Sequence, residues 1–302
     1  MAEIWTAERI VAPDLARELV AEAAPELKDA PLAPLGSGWD NTAYLVGGRW
    51  VFRFPRREVA AGLMDTEIRV LPRIAPRLPF PMPCPVYVGR GDERFPWPFA
   101  GYALIEGEAV AERSPDRAAS GRLAPALGEL LAALHSCPAE ELLAAGAPHD
   151  DWRRLDLPYR LEQLRELAPS APPDAAALVE LAERCAVPGW KPRSDTPVHG
   201  DLDARHLLLD GGGALSGTID WGDVHVGDPA IDLAAAHMVL PPEAHDAFRA
   251  AYGPVSDETW SIARFRAADH TLSVMHWSVA VGEHEVLRSM RASAEYLLEA
   301  SG

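Results

Sequence analysis

Close cysteine pairs are missing from this chain. Its 302 residues contain Cys84, Cys137 and Cys185, an odd number, widely separated and with no C-x-x-C, so neither a disulfide framework nor a zinc knuckle is indicated. Such usage fits a reducing cytoplasm. The start, Met1-Ala2-Glu3-Ile4-Trp5, lacks a basic segment leading into an apolar run, and no apolar stretch is long enough to span a bilayer, so export and anchoring are not expected. Basic charge is scarce as well. Lys plus Arg number 28 against 45 for Asp plus Glu, a formal charge of -17, which repels nucleic acid and favours a cationic small molecule. An acidic surface also simply keeps a protein soluble, so charge permits a basic substrate without demanding one. H-E-x-x-H and G-x-S-x-G are both absent, and His225, His237, His270 and His276 lack metal-ligand spacing, which leaves zinc and serine hydrolase chemistry no entry point.

What is present is enough chain for two lobes, with 48% hydrophobic residues. Residues 6–28 carry Ile10, Val11, Leu15, Leu19 and Val20 at helical spacing, with Pro13 in a first turn, and predict one helix. From 32 to 55 the texture is that of strands, with Gly47-Gly48 read as a two-residue hairpin turn. Helical spacing returns over 58–74 through Leu63, Ile68, Val70, Leu71 and Ile74; prolines then force an extended path, and strands near 84–89 and 100–105 complete a small antiparallel sheet. After Glu106-Gly107 the chain is expected to turn helical, with Leu123, Leu127, Leu130, Leu131 and Leu134 on one face and further helices near 159–168 and 174–186. Between 198 and 233 a short strand, a loop, a Gly211-Gly212-Gly213 turn and another strand precede helices that run to the end. No internal repeat is present. The pattern is an α+β, bilobal chain: an N-terminal lobe over 1–105 built on the sheet, and a larger helical lobe over 106–302.

The chemistry concentrates in Val198-His199-Gly200-Asp201-Leu202-Asp203-Ala204-Arg205-His206, followed by Gly217-Thr218-Ile219-Asp220-Trp221-Gly222-Asp223. Two acidic positions at the ends of short strands can converge on one cleft, where they would hold a metal triphosphate beside an acceptor hydroxyl. An Asp beside a Gly more often caps a loop. Order and spacing decide between the two, and they resemble those of the aminoglycoside phosphotransferase family, whose members share a protein-kinase-like fold, a His-Gly-Asp catalytic loop and an Ile-Asp-Trp or Ile-Asp-Phe metal segment. The run from Asp228 to Ala234, DPAIDLA, is similar to the continuation found after that segment. The resemblance extends over the whole chain.

By this resemblance Asp201 orients the acceptor hydroxyl and receives its proton, while Asp220 gives a carboxylate oxygen to the Mg²⁺ that bridges the phosphates of ATP or GTP. A carboxylate with an ordinary pKa of ~3.9 is a weak base, so orientation and late proton acceptance are expected of Asp201. His206 stands where the kinase-like pattern has Asn. As a ligand its imidazole would extend tolerance to Mn²⁺; the plainer alternative is packing beside Asp220. Gly36, Ser37 and Gly38 would cover phosphates with backbone N–H groups, although taken alone the string reads as a hairpin turn. Arg53 takes the place of the family's phosphate-binding Lys, with Glu67 as its ion-pair partner. In the linker, Ala103 C=O and Ile105 N–H would face the purine edge, which leaves ATP and GTP both open. Asp228 and Asp232 read as structure, a helix cap and a buried acceptor bracing the catalytic loop. Trp152, Trp260 and Trp277 are candidates for an acceptor pocket or, more commonly, for core.

Arg53, His206 and the run DPAIDLAAAHMVL are most similar to those of macrolide 2'-phosphotransferases within the family. The function implied is an ATP- or GTP-dependent O-phosphotransferase giving resistance to a small cationic antibiotic, aminoglycoside or macrolide. Its partners would be that acceptor and the nucleotide, with no nucleic acid and no membrane. Two rivals remain: a metabolic kinase of the same fold acting on choline, a sugar or an amino alcohol, and a nucleotide-binding pseudokinase suggested by Arg53 and His206.

Overall fold

Pro13 opens α1 (Pro13–Ala23), where its missing N–H leaves no helical bond unmade. In this computed structural model, which describes residues 7–113, 117–170, 172 and 174–299, the helix is shorter than the spacing over 6–28 predicts. It stops before Ala24 and Pro25, which begin a separate short 3₁₀ turn, and Thr6 lies outside the described residues.

Three strands follow as a meander, β1 (Leu32–Ser37), β2 (Asn41–Val46) and β3 (Trp50–Pro55). Val46 pairs with Trp50, so the turn between β2 and β3 has three residues rather than two; Gly47 and Gly48 supply its left-handed backbone, φ 62° and 66°. Then come α2 (Glu58–Ile74), β4 (Pro85–Gly89) and β5 (Phe99–Ala103), and the five strands pair antiparallel in the order β1-β2-β3-β5-β4. Strand alternation sorts β3 in a way that matters for function. Phe52 and Phe54 are fully buried with Tyr44, Phe95 and Phe99 against α1, which sends Arg53 to the opposite face, under α2. Gly101 is required opposite Phe52, because a Cβ there would lie 2.6 Å from the Phe52 ring.

The chain does not turn helical at once after Gly107, as the sequence predicts. A two-residue strand, β6 (Glu108–Ala109), comes first, too short to show any period, and pairs with a strand almost a hundred residues later. Four helices follow: α3 (Arg117–His135), α4 (Ala139–Ala144), α5 (Leu157–Leu167) and α6 (Ala175–Cys185). The segment read as two strands holds four: β7 (Thr196–Val198), β8 (Leu207–Leu209), β9 (Leu215–Thr218) and β10 (His225–Gly227). They form a β6-β8-β9 sheet and a β7-β10 pair at the top of the helical lobe. The chain continues through α7 (Ala230–Val239), α8 (His245–Tyr252), α9 (Asp257–Val281) and α10 (His284–Glu299). Every residue of α7 is buried and most of α9 is, so these two helices carry the core on which the catalytic segments rest. Among the described residues no helix is long and apolar enough to cross a membrane.

Candidate active site

Asp232 of α7 fixes the loop that leaves β7. Its fully buried carboxylate accepts the backbone N–H of His199 at 2.7 Å and of Gly200 at 2.9 Å, and His135 Nε2 lies 3.2 Å away. Burial alone would raise this carboxyl, but the His135 and His199 imidazoles and the backbone donors outweigh it and hold it below the ordinary range. Asp228 caps α7 through Ala230 N at 2.9 Å and ties Arg193 N at 2.8 Å. Both residues thus do the structural work expected of them. Gly200 has φ +91°, and a Cβ on it would sit 2.4 Å from the Asp223 carbonyl, so only glycine lets the loop approach the segment from Asp220 to Asp223 this closely. His199 Nε2 closes the approach by donating to Ile219 O at 3.0 Å. Asp201 follows directly, its carboxylate 31% exposed at the cleft.

Across the cleft, Asp220 holds a left-handed backbone, φ 62°, a conformation that costs a non-glycine residue about 1–3 kcal/mol and that Asp tolerates better than most. Its half-exposed carboxylate accepts Arg53 NH2 at 2.7 Å. Arg53 NH1 reaches both Glu67 oxygens at 3.1 and 3.0 Å, and Tyr102 Oη donates to Glu67 Oε2 at 3.0 Å. Burial drives the Glu67 carboxyl upward despite the guanidinium beside it, whereas at Asp220 the Arg53 guanidinium, followed by the His206, His199 and Arg205 side chains, outweighs desolvation and pulls the carboxyl down.

His206 stands between the two aspartates. Its Nδ1 donates to the Asp201 main-chain oxygen at 2.6 Å, which fixes the tautomer and leaves the Nε2 lone pair 3.6 Å from Asp220 Oδ2. Nδ1 is also 3.9 Å from Asp201 Oδ2. Burial works against protonation of this ring, but Asp203, Asp201 and Asp220 more than offset it, and its pKa lies above the ordinary histidine value. Among the described residues no group of three or more His, Cys, Asp or Glu could hold a metal ion. A two-donor set of His206 Nε2 and Asp220 Oδ2 therefore suits a cation that keeps its waters and takes its remaining ligands from phosphate, as Mg²⁺ does.

A cavity of about 420 Å³ lies against the linker, lined by Pro81, Met82, Ala103, Ile105, Glu106 and Ser216 among others. Leu104 N donates to Arg49 O at 2.8 Å and holds the linker to the sheet. Beside Ser216, Gly217 packs tightly under the linker, where a Cβ would meet Ile105 Cγ2 and Pro81 O at 2.7 Å. Gly36 and Ser37 lie inside β1 rather than in a turn; the turn to β2 spans 38–40, closed by Gly38 N to Asn41 O at 2.9 Å. Neither Gly36 nor Gly38 needs a left-handed backbone, and nothing lies within 4 Å of a Cβ added to either, so their outer face is open.

Several neighbours of the site escape motif reading. Asp203, Arg205 and His270 form a buried cluster behind Asp201, and Arg154 bridges Asp150 and Asp223 at its side. Trp277 of α9 meets Trp39 of the N-terminal lobe with ring centroids 3.9 Å apart, Trp260 packs on His237 and Phe248, and Trp152 is 60% exposed.

Residues 31–266 match the model of the APH, or phosphotransferase enzyme, family. Viomycin phosphotransferase of Streptomyces vinaceus is 29% identical over 201 residues, 63% of this chain and 68% of that protein. Among solved structures, the GDP and kanamycin complex of APH(2")-IIia superposes with a TM-score of 0.73 at 23% identity, covering 95% of this chain and 99% of the other. Macrolide 2'-phosphotransferase type I does so with a TM-score of 0.65 at 25% identity, over 95% and 98%. The bilobal kinase-like architecture expected from the sequence is therefore the fold of this chain. A family model that spans most of the sequence, over a fold shared along nearly its full length with solved members, places this protein in the phosphotransferase enzyme family.

Proposed function

We propose that this phosphotransferase moves the γ-phosphoryl group of GTP or ATP, carried with Mg²⁺, to a hydroxyl of a cationic antibiotic such as an aminoglycoside, a macrolide or a viomycin-like peptide. The observation that carries the reading is that one imidazole, His206, lies within 4 Å of both Asp201 and Asp220, so the hydroxyl-facing and metal-facing carboxylates share a single cleft. When bound, Mg²⁺ would neutralise charge on the phosphates, held by Asp220 and His206. Arg53, braced by Glu67, grips phosphate from the sheet side; the open backbone at Gly36, Ser37 and Gly38 covers it; the linker groups Ala103 C=O and Ile105 N–H receive the purine. Asp201 orients the acceptor oxygen in line and takes its proton late, the positioning that phosphoryl transfer chiefly requires. The retained carboxylates speak against a pseudokinase. Mn²⁺ is expected to substitute through the imidazole donor, and free, widely spaced cysteines suit the cytoplasm, where the nucleotide is found.

The test is γ-phosphate transfer from GTP and ATP to viomycin, kanamycin, a macrolide, choline and a sugar alcohol, with Asp201→Asn as control. Transfer to an antibiotic, lost in Asp201→Asn while nucleotide still binds, supports the proposal. Turnover confined to choline or the sugar alcohol points to a metabolic kinase, and no transfer from wild type to any acceptor removes the enzymatic reading.

A further inference from the structure

Behind the catalytic loop the Asp203 carboxylate is completely buried and gathers donors from two distant parts of the chain. Arg205 donates its backbone N–H at 2.8 Å and its Nε to both carboxylate oxygens at 3.1 and 3.0 Å, with NH2 also on Oδ2. From α9, His270 donates through Nε2 to Asp203 Oδ2 at 3.1 Å. On its other side the ring meets Arg266 NH2, 3.4 Å from Nδ1, and Arg266 is itself held by Asp269 at 2.8 Å, which accepts Arg160 of α5 at 2.9 Å. A ring clamped at both nitrogens does not rotate.

Nδ1, whose lone pair accepts from Arg266, also lies 3.7 Å from Asp201 Oδ1, a packing contact rather than a hydrogen bond. Asp201 Oδ2 faces His206 Nδ1, so each oxygen of this carboxylate has one imidazole opposite it. Among the described residues the Asp201 side chain makes no direct hydrogen bond of its own, and two imidazoles held by other groups bound its rotation. His206 is committed to the Asp201 main chain and to Asp220. His270 touches neither Asp220 nor the open cleft, and its ring is 93% buried.

We infer that His270 is a positioning residue for phosphoryl transfer: anchored by Asp203 and Arg266, it sets the orientation in which the Asp201 carboxylate meets the acceptor hydroxyl. This rests on the reading of Asp201 given above, and a displacement of about 1 Å in such a group is enough to cost ~100-fold in rate.

Two conservative variants separate anchoring from positioning. His270→Gln keeps a donor near the Nε2 position for Asp203 but removes the group that faces Asp201; His270→Asn keeps a polar atom near the Nδ1 position and loses the bond to Asp203. The readouts are kcat and nucleotide KM for transfer to an accepted antibiotic and for hydrolysis of the same GTP or ATP by water, with melting temperature measured alongside. The expected result for His270→Gln is kcat lowered about 10- to 100-fold in both reactions, with nucleotide KM and melting temperature near wild type. His270→Asn is expected to melt lower and to lose less kcat. In an Asp201→Asn background His270→Gln should reduce kcat no further, because a residue acting through another has nothing left to orient. Wild-type kcat in His270→Gln, or the same fold loss in both backgrounds, overturns the inference. Full turnover by Asp201→Asn itself removes the reading of Asp201 and this inference with it, whereas a dead Asp201→Asn beside a silent His270→Gln removes the inference alone.

Discussion

His206 Nε2 faces Asp220 Oδ2 across 3.6 Å while the opposite ring nitrogen is spent on the Asp201 carbonyl. That hydrogen bond selects the tautomer with a free lone pair on the Asp220 side, which is what a metal ligand needs and what a merely packed histidine does not. His206→Ala should therefore raise the Mg²⁺ concentration giving half-maximal activity by about 10-fold or more. His206→Asn, which returns an amide oxygen, should recover Mg²⁺ and weaken the tolerance of Mn²⁺. Initial-rate titrations with each metal check both, and a titration unmoved in His206→Ala contradicts the assignment.

The same ring gives opposite pH trends with and without metal. Its pKa in the metal-free fold is raised by Asp203, Asp201 and Asp220, against burial. A histidine raised above its unfolded value of about 6.5 contributes stability that is complete below that value and lost as pH rises through the folded pKa. Metal must displace that proton, so metal affinity should rise over the same window. Melting temperatures of wild type and His206→Asn at pH 6 and 8, with and without Mg²⁺ and nucleotide, should show the metal-free difference between them shrinking towards pH 8, and the stabilisation by Mg²⁺ and nucleotide growing towards pH 8 in wild type but not in the variant.

Arg53 is held by two carboxylates of different purpose. Among the described residues the buried Glu67 bonds the guanidinium and Tyr102, whereas Asp220 is half-exposed and faces His206. Removing the Glu67 charge leaves Arg53, among the described residues, with Asp220 as its anionic partner, in competition with the metal. Glu67→Gln is expected to raise nucleotide KM and the metal requirement together, by roughly 10-fold, the scale of a lost hydrogen bond to a charged group. Arg53→Lys should act similarly, since an ammonium cannot span Glu67 and phosphate as a guanidinium fork does. Steady-state kinetics at several Mg²⁺ concentrations test this; a change in KM with no change in metal requirement would show that the competition is absent.

Legibility in the sequence followed length and locality. The 17 residues of α2 show several turns of helical period, and the two short stretches around Asp201 and Asp220 carry their chemistry in consecutive residues. Strands β6 and β10 have two and three residues, too few for any period, and the turn of Gly47 and Gly48 took a third residue that only the pairing of Val46 with Trp50 reveals. Gly36 and Ser37 looked like a turn because glycine usually marks one; in fact β1 runs through them. The wall of the linker cavity needs β9 to pass under the linker, which brings Gly217 to Ile105 from more than a hundred residues away. The lack of metal-ligand spacing around His270 says nothing of a carboxylate 67 residues away. Only the packing of α9 under the catalytic loop joins those two.

Asp223 offers a titration beside Asp201, where the proposed function puts the acceptor. Burial is the main cause that pushes its carboxyl up to about 6, the negative charge of Asp201 adds to it, and Arg154, which contacts Asp223 directly, opposes both. Between the unfolded value of about 3.9 and about 6 the folded protein keeps a proton that the unfolded chain has released, so this group's contribution to stability falls as pH rises across that window. Function should move the other way. Above about 6 the carboxylate is charged and draws a cationic acceptor towards Asp201; below it the attraction is gone. Acceptor KM is therefore expected to fall several-fold between pH 5 and pH 7, on the scale of one partly screened charge pair. Asp223→Asn should abolish that dependence, leaving acceptor KM high at both pH values and nucleotide KM unchanged. A KM that still falls with pH in Asp223→Asn would place the titrating group elsewhere, and a neutral acceptor showing the same dependence would rule out charge attraction as its cause.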